Sequence, residues 1–591
     1  MGPPPLQREG RGEVMRFAVM CNGTIFQQWQ ADAILELKKH GHQPVLLIID
    51  ARTRQKASLI SRLVNKKWGT ILYTSLENRI FNPSARRPVD LHKDLNGIAT
   101  LQCIVEKRGY SEYFQPDDLA AIRDYKLDFI LRFGFNIIRG GILTAARYGV
   151  WSFHHDDEMK YRGGPAGFWE IFRGDPVSGA IMQRLTDKLD GGIILKKGFL
   201  KTIMHSYKGN LHQLLTVSSE WPAGYADELI HRAALVENFN ASADMPASRT
   251  DVPLSRVPGN LKMLKFFFLL LRNRIRFHYK DLLTAEIWNV GLICKPIHEV
   301  ALSRDNIREA DITWIQPVSN SMYLADPAGF WEEGKLHILA EEYSYASQKA
   351  GISEIISDLD PVRVTHPGRV PDPDGIIHPD GVTGGALHLS YPFVFLHNQT
   401  VYCLPESYQS MKITLFRREN PGGEFVQDRV LLENVRAVDP TLFFYQGIWW
   451  LFFTDRRYSN THLFLYYSAE MTGEYKPHHL NPVKTDIRSA RPAGTPFIYE
   501  GVLYRPAQDC SITYGGRIAV NRVLRLSPDD FSEETVNFIE PVPGSKYDRG
   551  LHTLSAVGNY TLIDGKRYQF NRHFFSHQLR KKINRKDPED V

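Results

Sequence analysis

The spacing of apolar positions at the start of the chain predicts three elements. "RFAVMC" (Arg16 to Cys21) is a short unbroken apolar run, as expected of a strand buried on both faces. Ile34, Leu35 and Leu37 then recur at helical spacing, and a second apolar run, "VLLIID", ends at Asp50. Strand, helix and strand in that order predict the βαβ unit of an open parallel sheet. "LDFILRFGF" (Leu127 to Phe135) and "GVWSF" (Gly149 to Phe153) predict further buried strands, with a helix, "GGILTAARY", between them. An α/β Rossmann-like domain over residues 15–235 follows.

The second half carries a different pattern, a strand, a Gly or Asn turn and an aromatic-rich strand, repeated five times. The copies are "ADPAGFWEEGKLHILAEEY", "SYPFVFLHNQTVYCLPESY", "VDPTLFFYQGIWWLFFTDR", "ARPAGTPFIYEGVLYRPAQD" and a degenerate "LHTLSAVGNYTLIDGKRYQF". Asp326, Tyr391, Asp439, Arg491 and His552 begin them, at spacings of 65, 48, 52 and 61 residues. Those intervals are near or somewhat above the ~40–50 residues of a propeller blade. A five-bladed β-propeller over 285–575 is predicted, with "AEIWNVGLICKPI" (Ala285 to Ile297) as the strand that closes the ring.

Residues 236–284 form a linker containing a basic amphipathic helix, with six basic residues from Lys262 to Lys280. Its faces suit a membrane surface or a lipid-linked substrate; packing as a buried linker helix is the alternative, and it has the better base rate. Residues 576–591 read as a charged, frayed tail.

Composition removes several function classes. A net charge of +6 over 591 residues forms no basic stripe, so no nucleic-acid partner is expected. Five scattered cysteines without a CxxC argue against a disulfide framework or zinc site. With no apolar leader or membrane-length run, the expected location is cytoplasmic.

The densest chemistry follows "GVWSF", beyond the carboxyl end of a strand, where open α/β sheets bind ligands. His154, His155, Asp156, Asp157 and Glu158 are consecutive there, and "LDGGIIL" places Asp190 36 residues after His154. Neighbouring histidines on a strand end point in opposite directions, so no metal is expected. "GVWSFH", "YRGGPAGFWEIFRGDPVSGAIMQRL" and "LDGGIIL" together resemble the folate-dependent formyltransferases, closely over residues 125–200. That resemblance implies a catalytic set of His154, Asp190 and Ser152, the last standing where the family keeps Asn. It implies a 10-formyltetrahydrofolate pocket lined by Arg132, Phe133, Gly134, Phe135 and Gly191. His155, Asp156 and Arg162 are then candidate acceptor contacts; a solvated capping loop is the alternative for the acids.

In the repeats, the start of each first strand lies beside the end of the second. Asp326 is thus expected near Glu341 or Glu342, Tyr391 near Glu406, Asp439 near Asp455 and Arg491 near Asp509, with His552 joining them at one mouth of the channel. Asp326, Glu406, Asp439, Arg491, Asp509 and His552 are the substrate-binding candidates. "ADP", "LPES" and "RAVDP" resemble five-bladed furanosidase-type glycoside hydrolases, whose central carboxylates serve as acid and base or nucleophile. "SYPFVF", "LPES", "RAVDPTLF" and "RPAGTPFIYEGVLYRPAQDC" look like the propeller of plant glucosamine inositol phosphorylceramide transferases, which implies glycan binding.

Two readings follow. In the leading one, a formyltransferase of surface-glycan biosynthesis formylates an amino sugar, nucleotide sugar or lipid-linked glycan held by the propeller. In the alternative, the propeller is the active centre for glycosidase or glycosyl-transfer chemistry and the amino domain is a degenerate binding module.

Overall fold

The computed structural model describes residues 14–52, 70–77, 79–188, 191–235, 252–305, 307–315, 322–357 and 387–584. The described chain divides into two compact units, with the boundary between Ile275 and Arg276.

The first unit is built on a seven-stranded sheet in the order Ile193–Lys201, Val177–Arg184, Val150–His154, Phe129–Arg132, Arg16–Cys21, Gln43–Asp50 and Ala99–Cys103. The last five are mutually parallel, and the first two form an antiparallel hairpin on one edge. The apolar runs form strands because both faces are covered. On one face Phe17, Phe129 and Trp151 stack across three strands, at 5.2 and 3.8 Å, with Tyr225 against the Trp151 edge. On the other, Ala18, Met20, Leu46, Ile48 and Ile130 pack with Ile122 and Ile142. Helix Gln28–Lys39 buries Ile34 and Leu37 as its spacing requires; Leu35 is only half-buried. The expected helix in "GGILTAARY" is instead a 3-10 segment, Gly140–Thr144. Gly140, at φ +74°, opens that segment in a conformation that regular helix excludes. The strand expected over Leu127 to Phe135 stops at Arg132, as Phe133 and Gly134 both turn to donate to the Met20 carbonyl.

The second unit is a ring of five sheets. Their innermost strands are Met322–Glu332, Ser390–His397, Ala437–Tyr445, Phe497–Tyr499 and Leu554–Val557. Ring closure follows from the apolar clusters, each of which joins two successive sheets. Phe330 shares a cluster with Phe416, Leu404 with Leu442, Phe452 with Phe531, Phe497 with Leu554, and Leu562 with Leu324. The fifth sheet takes strands from both ends of the unit, because Ala285–Ile293 pairs antiparallel with Tyr560–Gln569. At the fourth–fifth junction the backbones approach so closely that a Cβ on Gly494 would lie 2.1 Å from the Leu554 carbonyl oxygen. A five-bladed β-propeller is therefore the architecture of this unit.

The tail is ordered further than its charge suggests: Arg572–Asn584 is a helix, and only residues 585–591 lie outside the described set.

Candidate functional site

The blade starts share one backbone device. In each of the first three sheets the ladder skips two residues, after Ala325, Ser390 and Val438, and the second skipped residue is proline. Proline has no N–H to offer the ladder, so the strand bulges there. The residues before proline take left-handed conformations: Asp326 at φ +51°, Tyr391 at +43° and Asp439 at +50°. Such backbone costs about 1–3 kcal/mol per residue and persists where surrounding structure holds it, typically at functional sites. All three side chains are buried.

They meet in one network. Arg491, from the fourth repeat, grips Asp439 with Nε at 2.5 Å and Nη2 at 3.0 Å, and its Nη1 donates to Asn460. Gln508 adds a 2.8 Å bond to the same carboxylate. Glu406 accepts from the Asp439 backbone N–H at 3.0 Å. Burial, then the neighbouring Asp439, pushes the Glu406 carboxyl well above its ordinary range; burial, then Asp326, does the same to Glu341. Burial likewise raises Asp326, against the opposing pull of His552. Asp326 accepts from Thr553 at 3.0 Å and lies 3.6 Å from His552 Nε2. Asp564 holds His552 through Nδ1 and accepts from the His552 and Thr553 backbone N–H groups at 2.9 and 3.1 Å. Burial disfavours charge on His552, but Asp564 and Asp326 outweigh it and its pKa rises. Tyr391 accepts from the Gly494 N–H at 2.7 Å and pairs with Thr441 at 3.0 Å.

Asp326, Glu406, Asp439, Arg491 and His552 thus come together as the repeats predict, and Glu341 is the correct member of its pair, since Glu342 is engaged by Ser353. Asp509 does not join them. It accepts from Ser511 N–H and Arg517 outside the channel, while Gln508 points in. Asp455 similarly caps Arg457, and residues across from Ala437 and Val438 are Asp455 and Thr454. Both misplacements are one-residue slips, which in a strand move a side chain to the opposite face. Gln508, Thr553 and Asp564 were missed; strict alternation from Arg491's partner strand points to Gln508, but no sequence signal marks the other two.

In the α/β unit the predicted residues part company. His154 stands at the carboxyl end of its strand, a quarter exposed, with Nε2 3.4 Å from the Tyr161 carbonyl and 3.8 Å from Asp156. Asp190 lies outside the described residues. Ser152 is buried, its hydroxyl taken by Arg132 at 2.8 Å, and Arg132 also donates to the Asn136 carbonyl. His155 is a core histidine rather than a substrate contact: it bonds Ser218 at 3.0 Å, stacks on Phe153, and burial pushes its pKa down to about 3. The acids are turned inward as well. Asp156 accepts from Gly167 N–H, and Asp157 and Glu158 both bind Lys197. Burial, then Glu170, raises Asp156, while burial pushes Glu170 up to about 8. Phe133 is packed against Trp29 and Phe153, Phe135 against Phe114, and Gly134 has the Cys21 backbone where a Cβ would stand. These three serve packing rather than a cofactor pocket. Arg162 bridges to Leu254 through its backbone, and Gly191 closes a turn onto Lys188.

Comparison with known proteins adds a direction. A family model described as glucosamine inositolphosphorylceramide transferase 1, N-terminal, matches residues 375–549, wholly within the propeller unit. The Arabidopsis thaliana protein named Glucosamine inositolphosphorylceramide transferase 1 is 33% identical over 224 residues, covering 37% of this chain and 28% of its own length. The chain thus spans under a third of that relative. A family 117 glycoside hydrolase produced by the marine bacterium Zobellia galactanivorans superposes at a TM-score of 0.30 and 12% identity, over 48% of this chain and 91% of that one. Glycinamide ribonucleotide transformylase 1 from Symbiobacterium toebii gives 0.25 and 16%, over 37% and 90%. At these scores neither likeness bears on the reaction. The named relative corrects the leading expectation: its name describes a different transfer from formyl transfer, so formyltransferase activity and the 10-formyltetrahydrofolate cofactor are withdrawn.

Proposed function

We propose that the propeller is the active centre of this chain and that it acts on a carbohydrate, in glycosyl-bond chemistry belonging to glycan or glycolipid synthesis. One observation carries the reading: the strained blade starts bring Asp326 and Asp439 to a common centre, where the facing strands add Glu341 and Glu406, carboxyls whose pKa is raised by burial, beside an Asp439 clamped by Arg491. Sugar-bond chemistry asks for a carboxylic acid able to protonate the leaving oxygen and a second carboxyl acting as base or nucleophile. In this proposal Glu406 is the acid. Asp326, whose pKa burial raises against the pull of His552, is the base, because a raised pKa makes a carboxylate a better proton acceptor. Asp439 already spends its lone pairs on Arg491 and Gln508, so its role is to hold the arginine. The relative's name supports a sugar attached to an inositolphosphorylceramide as substrate class. The α/β unit then supplies binding rather than chemistry.

The test is turnover of a panel of nitrophenyl glycosides together with binding to an immobilised glycan array. Glu406→Gln is expected to lower turnover about 10²–10⁴-fold while binding persists. Binding without any turnover in the unaltered chain would make the propeller a glycan receptor; neither binding nor turnover would end the proposal.

A further inference from the structure

The helix Asn260–Leu283 has two apolar faces, and only one is covered. On the inner face Met263 and Phe266 are fully buried, with the Phe266 ring 4.1 Å from Phe168, and Asn273 donates to the Met204 carbonyl. On the outer face Leu261, Leu264, Phe268, Leu271 and Ile275 are 59–83% exposed. At about 100° per residue these five fall within a stripe about 80° wide, and Lys265, Arg272 and Arg276 follow directly along one flank. Lys262 and Lys265 lay their ammonium groups over Trp169 and Phe172 of the neighbouring helix Phe168–Arg173. Between Asn260 and Leu283 there are six Lys and Arg and a single acid, Asp281.

An apolar stripe left in water is costly, and soluble proteins seldom display one without an occupant. Antiparallel two-fold pairing of this helix with its own copy would bring like basic flanks together, which disfavours that arrangement of a second copy. No described helix is long and apolar enough to cross a membrane. We infer that the outer face of this helix lies in the interface of an anionic lipid membrane. The five apolar side chains enter the acyl boundary while Arg272 and Arg276 meet lipid phosphates. This does not depend on which unit is active.

Co-sedimentation of the full chain with phosphatidylcholine vesicles, with and without phosphatidylserine, tests the inference. Binding should require phosphatidylserine and weaken about tenfold or more at high salt. Phe268→Glu with Leu271→Glu alters side chains that are more than half exposed and should leave the melting temperature nearly unchanged while lowering vesicle binding about 100-fold. Arg272→Glu with Arg276→Glu should abolish the preference for phosphatidylserine. Failure of the unaltered chain to sediment, or equal binding by the double variants, overturns the assignment. So does a dimer in light scattering that Phe268→Glu with Leu271→Glu splits without any vesicle binding, because a second copy would then be the occupant.

Discussion

In the α/β unit, Asp156, Asp157, Glu158 and Glu170 come from one continuous loop and the helix after it; in the propeller, Asp326, Glu341, Glu406, Asp439 and Asp564 come from four different blades. The loop acids spend their charge locally, on Gly167 N–H and Lys197, and leave His154 as the partly exposed group. In the propeller a repeated backbone bulge aims Asp326 and Asp439 at a common centre, where Glu341 and Glu406 join them from the facing strands with pKa values raised by burial and by their acidic neighbours. In both units burial is the first cause of the raised carboxyl pKa values and a neighbouring acid the second; what the ring adds is that acids from four blades share one buried centre.

The difference can be broken at its strongest bond. Arg491→Leu leaves Asp439 buried without its cation and should cost about 3–5 kcal/mol in denaturant unfolding of the propeller unit; a loss below 1 kcal/mol would mean that the network relaxes around the change. The α/β cluster gives the next effect, through pH. Glu170 is raised in the fold to about 8 from the ordinary 4.5 of a glutamate, so its contribution to stability is complete below 4.5 and is lost as pH rises through 8. Glu170→Gln cannot ionise. Its unfolding midpoint should therefore gain on that of the unaltered chain between pH 5 and 8, by on the order of 1–3 kcal/mol, and parallel pH profiles would contradict the shift. The smallest effect sharpens the boundary of the propeller site. Asp509→Ala removes a turn bond to Ser511 and a pair with Arg517, and should cost about 1 kcal/mol while leaving glycan binding unchanged.

The sequence carried the architecture further than the chemistry. Apolar runs and a repeated phrase are sums over many residues, so the parallel sheet, the five repeats and the closing strand Ala285–Ile293 were all legible. Site membership turns on single residues. Alternation decides between Gln508 and Asp509, and a one-residue error exchanges channel for rim. Asp564 and Thr553 reach the cluster through the degenerate fifth repeat, where the phrase has lost its proline and its polar start is no longer marked. In the other unit, the polarity of "HHDDEM" suits either acceptor contacts or a solvated capping loop, but Lys197, Ser218 and the Gly167 N–H take up its groups.

The central claim, that chemistry belongs to the propeller cluster and not to His154, is tested by turnover of the same nitrophenyl glycoside by Glu406→Gln and by His154→Ala. Glu406→Gln should lose about 10²-fold or more, and His154→Ala should keep an unchanged rate. Loss in His154→Ala with full activity in Glu406→Gln would contradict it.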